Sequence, residues 1–185
     1  MSEYRIASRY AKSLLELSVE QGKLEEVHTD MKLLSDLASE NRDFVLMLKS
    51  PIVTHGKKLA ILNDVFKGKV NELSLSIFSI LTKKHREGYL PLIAKEFHHL
   101  YNVHKGIEEA TVTTTFALDA KTKAEFEKVV KSITKKEVEL TEVVDESLIG
   151  GFVLKIGDRQ IDDSVSSRLR ALKVDFLKNH YQKAY

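Results

Sequence analysis

Seven histidines are the side chains best able to hold a metal ion in this chain. His98, His99 and His104 fall in one predicted helix. Two imidazoles share a helix face when they lie four residues apart, and no pair here does. They read as solvated surface histidines. The chain has no cysteine, so disulfides, thiolate metal sites and cysteine nucleophiles are excluded. Gly150-Gly151 is followed by an apolar strand rather than a helix and matches neither glycine-rich phosphate signature. Asp158, Asp162 and Asp163 lack the spacing and the central glycine of a calcium loop. No serine sits in a GxSxG turn. No catalytic, cofactor-binding or metal-binding residue is predicted. The chain is expected to act by binding other proteins, not by catalysis.

Charge argues against nucleic acid as the partner. With 29 basic and 27 acidic side chains the formal net charge is +2, a balance that gives no electrostatic case for nucleic acid, where a clear basic excess on one face is expected. Lys121, Lys123, Lys128, Lys131, Lys135 and Lys136 are interleaved with Glu125, Glu127 and Glu137, the pattern of a solvated helix face. The 185 residues are 43% apolar and 30% charged, enough to bury a core in one large domain or two small ones. No apolar run approaches the roughly 20 residues that cross a bilayer. Met1-Ser2-Glu3-Tyr4-Arg5 lacks the apolar core of a signal peptide. The expected place is the cytoplasm, with membrane contact only through a partner.

Helical periodicity organises the first hundred residues, punctuated by Gly22, Gly56, Gly68, Gly88 and Gly106. Helices are predicted over about 4–20, 24–39, 42–49, 56–66, 71–86 and 90–104. Pro51 and Pro91 mark helix boundaries. After Lys105-Gly106 the pattern changes. Residues 110–116 alternate with β-branched side chains and predict a strand. A helix is expected over 120–135, with Phe126, Val129, Val130 and Ile133 inward. Strands follow at 138–144, 151–156 and 160–161, the last two joined by a Gly157-Asp158 turn. A final helix runs from about Ser164 to near His180. The fold class is α+β: a six-helix bundle over 1–105, then a smaller strand-containing domain over 106–185 with a terminal helix.

Two of these helices carry more apolar surface than one core needs. On the first, Leu17, Tyr10, Leu14, Ala7, Ala11 and Leu15 spread over an arc of about 160°, against the roughly 100° of a one-sided surface helix. On the fifth, residues 73–82 contain no charge, only apolar side chains and small hydroxyls. The fifth helix could be the centre of the bundle. The two helices could also form a groove for an amphipathic helix of a partner.

Residues 138–172 are the most distinctive stretch. Paired glycines heading a strand suit a bulge or a close backbone crossing. Asp162 or Asp163 can accept hydrogen bonds from the free amides opening the last helix. Spaced aliphatics lead to an acidic residue, an aliphatic, two glycines, an apolar strand, a basic residue and a glycine: Val138, Leu140, Val144, Asp145, Leu148, Gly150, Gly151, Phe152, Leu154, Lys155 and Gly157. This resembles the C-terminal signature of the delta subunits of bacterial F-type ATP synthases, relatives of the mitochondrial oligomycin-sensitivity-conferring protein. That signature continues with an aspartate, a glycine, a serine and a basic helix. Here Asp162 and Ser164 match, and Asp163 replaces the glycine. Arg9-Tyr10-Ala11-Lys12-Ser13-Leu14, Ser50-Pro51 and Leu90-Pro91 extend the resemblance over nearly the whole chain.

The resemblance implies a non-catalytic stator subunit without cofactors, one copy per complex, at the cytoplasmic face of the bacterial plasma membrane. It implies that the first and fifth helices receive the N-terminal helix of an alpha subunit, through Tyr10, Ala11, Leu14, Ile77, Ile80 and Leu81. It implies that the C-terminal domain holds the C-terminal region of the b subunits. Asp145, Leu148, Gly150, Gly151, Gly157, Asp162 and Ser164 are expected to form the fold of that domain rather than the contact. The alternative is a generic helical adaptor outside the synthase.

Overall fold

The structure, a computed structural model, describes residues 3–177. Among these, six α-helices precede the first strand: α1 (Glu3–Glu20), α2 (Leu24–Glu40), α3 (Arg42–Lys49), α4 (His55–Phe66), α5 (Glu72–Lys83) and α6 (Leu90–Lys105). A four-stranded sheet with two helices follows: β1 (Ile107–Thr114), α7 (Ala120–Thr134), β2 (Glu137–Val144), β3 (Phe152–Ile156), β4 (Arg159–Asp162) and α8 (Val165–Leu177). The chain divides into two compact units between His104 and Lys105, at the change of periodicity read from the sequence. The predicted end of the last helix, near His180, lies outside the described residues.

In the first unit the helix boundaries follow local chemistry. Asn41 and Asn71 cap α3 and α5, each side-chain oxygen accepting an amide of the first turn, from Phe44 at 3.0 Å and Leu73 at 3.1 Å. The core is built on Phe66, Phe78 and Phe97 with Met31, Leu34, Leu62, Leu81 and Ile93, all essentially solvent-free. The Phe66 ring lies 5.3 Å from Phe78 and 6.4 Å from Phe44, in tilted and edge contacts favoured by the ring quadrupole. Asp30 of α2 is buried beneath α5 and accepts hydrogen bonds from Ser74 Oγ at 2.6 Å and the Asn71 amide at 2.8 Å. A small hydroxyl of α5 thus serves packing against α2 rather than approach by a partner.

Helix α5 stops three residues short of the predicted Arg86. His85 takes a left-handed conformation with φ 58°. The Arg86 amide donates to Leu81 O at 2.8 Å and the His85 amide to Thr82 O at 3.0 Å. This paired closure ends a helix, usually with glycine at the left-handed position. Its use of histidine hid the stop from a reading based on glycine and proline.

His98 also departs from expectation. It is half-buried, not a solvated surface residue: its Nδ1 lies 2.9 Å from Nε2 of His28 on α2, and its Nε2 lies 3.3 Å from Asn102 Nδ2. His99 and His104 are exposed.

In the second unit the strand order is β2-β1-β3-β4. β1 pairs with β2 in parallel from Ile107↔Glu137 to Thr114↔Val144, and with β3 antiparallel through Val112↔Leu154. Parallel strands need a crossover, which α7 supplies. The first strand begins and ends earlier than its β-branched run suggested. Pairing on both sides fixes it at 107–114, and Phe116 falls beyond it, 70% exposed. Ala110, Val112, Leu154 and Ile156 form one sheet face, covered by Val130 and Phe126 of α7. Val129 and Ile133, predicted inward, are about half exposed. Phe126 and Val130 lie one turn apart and fill the contact with this narrow sheet, which leaves the adjacent stripe in solvent.

Candidate partner-binding surfaces

The six side chains expected to receive an alpha-subunit helix do not share one environment. Ala11 and Leu81 are completely buried, Leu14 is 2% and Ile77 9% exposed. These four point into the core of the first unit. Tyr10 is half-buried and Ile80 is 49% exposed. The core takes Ala7, Ala11, Leu14 and Ser18 from α1, a stripe only about 60° wide. The apolar excess read from the sequence therefore lies on the flanks of that stripe.

One flank of α1 carries Ile6, Tyr10 and Leu17, spaced four and seven residues apart and so on one side. Leu17 is 41% exposed. On α5, Leu73, Ser76 and Ile80 line one side at the same helical spacing. Phe78 points from another side of α5 toward Phe66 of α4, so α4 leaves the Leu73–Ile80 side uncovered. Both α1 and α5 pack on α2. Arg86, just past α5, joins this end of the unit to α1. Its Nη1 donates to the Tyr10 hydroxyl at 2.9 Å, and its guanidinium lies 5.8 Å from the Tyr10 ring centroid. Exposed and half-exposed apolar side chains on two helices, with a tyrosine fixed by an arginine, suit capture of an apolar helix face. They offer no group for bond-making chemistry.

In the second unit the signature residues work on the backbone. Gly151 has φ +79°, and a Cβ there would meet Asp163 O at 2.3 Å and Ser164 Cα at 3.0 Å. Here β3 crosses the start of α8. The Val165 amide donates to Gly150 O at 3.0 Å and the Asp163 amide to Phe152 O at 2.9 Å. Only glycine fits at this crossing. Gly157, with φ +52°, forms the tight turn between β3 and β4 with Asp158. Asp145 accepts from the Ser147 amide at 2.9 Å, and Leu148 is half-buried in the following turn.

Asp162 accepts from the Ser164 amide at 3.0 Å and from Ser167 Oγ at 2.7 Å. Those hydrogen bonds, from Ser167 first and then Ser164, hold its carboxyl below the usual carboxylate range. Ser164 Oγ accepts from the Ser167 amide at 3.2 Å as the cap of α8. Asp163, in place of the family glycine, takes the guanidinium of Arg168.

A surface not assigned from the sequence appears on α8. Val165, Leu169, Leu172 and Phe176 repeat at helical spacing, and the last three are 53%, 53% and 86% exposed. The spacing was legible; its exposure was not, because a terminal amphipathic helix normally covers its own domain. The described residues contain no helix long and apolar enough to cross a membrane, and no group of three or more metal-ligating side chains.

Comparison with known proteins covers both units. The family model for the ATP synthase delta (OSCP) subunit matches residues 6–176. The "ATP synthase subunit delta" of Cytophaga hutchinsonii is 43% identical over 176 residues, 95% of this chain and 96% of that protein. That of Amoebophilus asiaticus is 38% identical over the same shares. Among solved structures, a chain of the Toxoplasma gondii mitochondrial ATP synthase hexamer has the same fold, with a TM-score of 0.77 at 22% identity over 93% of this chain and 97% of that one. With a family match across nearly its full length and bacterial relatives well above 30% identity, the chain belongs to the ATP synthase delta (OSCP) subunit family.

Proposed function

We propose that the two units hold different parts of one F-type ATP synthase together: residues 1–105, read as a six-helix bundle, bind the N-terminal helix of an alpha subunit, and residues 106–185 bind the C-terminal region of the b subunits. As a delta-family protein the chain is a non-catalytic stator component. Rotor torque does chemical work only if the catalytic head is kept from turning. A link for that purpose needs two separate binding surfaces and no reactive groups. It acts at the cytoplasmic face of the bacterial plasma membrane, held there by the complex.

The observation that carries this reading is the division at His104/Lys105 into two compact units, each with exposed apolar side chains at helical spacing. The head contact is assigned to Ile6, Tyr10 and Leu17 with Leu73 and Ile80. Ala11, Leu14, Ile77 and Leu81 support that surface from the core. The stalk contact is assigned to Leu169, Leu172 and Phe176. Titrating the full chain with a synthetic peptide of the alpha-subunit N-terminus, beside an Ile80→Asp variant, tests the first assignment. Saturable binding to the parent chain, weakened at least about tenfold by the buried charge, is expected. Equal binding by a folded variant removes α5 from the contact.

A further inference from the structure

The apolar flanks of α1 and α5 are edged by charges, and those charges are sorted by sign along each helix. On α1, Arg9 in the first half and Glu20 at the end are exposed and lie within about 80° of the Ile6, Tyr10 and Leu17 flank. On α5, Glu72 in the first turn and Lys83 in the last are exposed and lie as close to the flank of Leu73, Ser76 and Ile80.

Three hydrogen bonds fix how the two helices run. Arg86, just past the end of α5, donates to the Tyr10 hydroxyl in the first half of α1 at 2.9 Å. At the start of α5, the Asn71 amide donates to Asp30 in the second turn of α2 at 2.8 Å. That turn of α2 lies close to the end of α1, because the connection is tight: the Lys23 amide donates to Ser18 O at 2.9 Å. The two helices are therefore antiparallel, and their like-signed ends coincide. Arg9, Lys83 and Arg86 stand at one end of the groove, and Glu20 and Glu72 at the other. Glu3 is the one acid of α1 at the basic end. The backbone dipoles of antiparallel neighbours offset each other, so the side chains set the polarity of the groove.

We propose that this polarity admits the partner helix in one direction, parallel to α1. Its first turns carry acidic side chains, which meet Arg9, Lys83 and Arg86. Its last turns carry basic side chains, which meet Glu20 and Glu72. A helix of that pattern satisfies its own dipole and the groove together. The opposite pattern, docked the other way round, would satisfy the groove but work against its own dipole. Apolar contact supplies the affinity, and the sorted charges fix the direction. The inference rests on the groove reading under the proposed function.

The test uses two versions of the alpha-subunit N-terminal peptide, each carrying a nitroxide at one end, added to the full chain and read by amide NMR. The N-terminal label should broaden the amides of Arg9 and Lys83, and the C-terminal label those of Glu20 and Glu72. A peptide with its acidic and basic positions exchanged should bind about fivefold or more weakly at low salt, the gap closing near 1 M salt. Arg9→Glu with Lys83→Glu alters two exposed side chains and should weaken the parent peptide by about the same factor. Four results each overturn the proposal and leave the groove in place: reversed broadening, equal broadening by both labels, equal affinity for the exchanged peptide, or affinity unchanged in the double variant. Binding that broadens neither α1 nor α5, or no binding, removes the groove itself and the direction with it.

Discussion

At the scale of single residues, the Lys58–Glu87 pair makes the sharpest energetic statement. Both side chains are almost solvent-free and 2.7 Å apart. Burial pushes the Glu87 carboxyl up. Hydrogen bonds from Lys58, its own backbone amide and His55 outweigh that and hold it below its ordinary value of 4.5. A carboxyl depressed in the folded state stabilises the fold above its unfolded pKa and loses that contribution as pH falls through the folded value. Urea unfolding at a series of pH values should therefore show stability falling below about pH 4.5 in the parent, with a shallower fall in a chain carrying both Lys58→Met and Glu87→Leu. Either substitution alone strands a buried charge and should cost about 3–5 kcal/mol, whereas the double change should cost far less. Additive losses in that cycle would show the two groups to be independent. Gly151→Ala should destabilise the second unit by about 2 kcal/mol or more, because its Cβ would lie 2.3 Å from Asp163 O at a positive φ. Thermal unfolding of that unit reads this directly.

At the scale of elements, the core takes only part of the apolar arc read on α1, namely Ala7, Ala11, Leu14 and Ser18. Ala11→Asp would place a carboxylate at a position with no solvent exposure. It should unfold the first unit rather than report on the interface. The informative substitutions are on the flanks. Tyr10→Ala also removes the acceptor of Arg86 Nη1. It should weaken the alpha-peptide complex by about 1–2 kcal/mol while leaving the helical circular dichroism intact. On α8, Leu172→Asp should abolish co-purification with b subunits without shifting the melting of the first unit. A variant that still co-purifies in full would move the stalk contact elsewhere on residues 106–185.

At the scale of the whole molecule, a link must hold both ends at once. When one unit is bound, the other rebinds from within the same complex, so the joined chain holds far more firmly than either surface alone. Chains covering 1–105 and 106–185, added together but unjoined, should each bind one partner and fail to restore coupled ATP synthesis to depleted membranes. The intact chain should restore it. Restoration by the unjoined halves would show that a continuous chain is not what transmits the load.

Much of the architecture was legible because it depends on local pattern. Helical periodicity, the shift to alternation after Gly106 and the absence of cysteine fixed the class, the two-unit plan and the exclusion of thiol chemistry. The glycines at 151 and 157 were legible as backbone devices because no other residue adopts their positive φ at so little cost. Tertiary structure alone decided the rest. A helical wheel states how much of a helix is apolar but not which part of that arc the neighbouring helices occupy, so Ala11, Leu14, Ile77 and Leu81 became core while Tyr10 and Ile80 stayed partly exposed. The stop at His85, the start of β1 at Ile107, the burial of Lys58 against Glu87 and the pairing of His98 with His28 each depend on a partner distant in sequence or on a backbone conformation that residue type does not dictate. Periodicity carries the local half of folding; the assignment of each apolar face to core or surface is settled only when the elements meet.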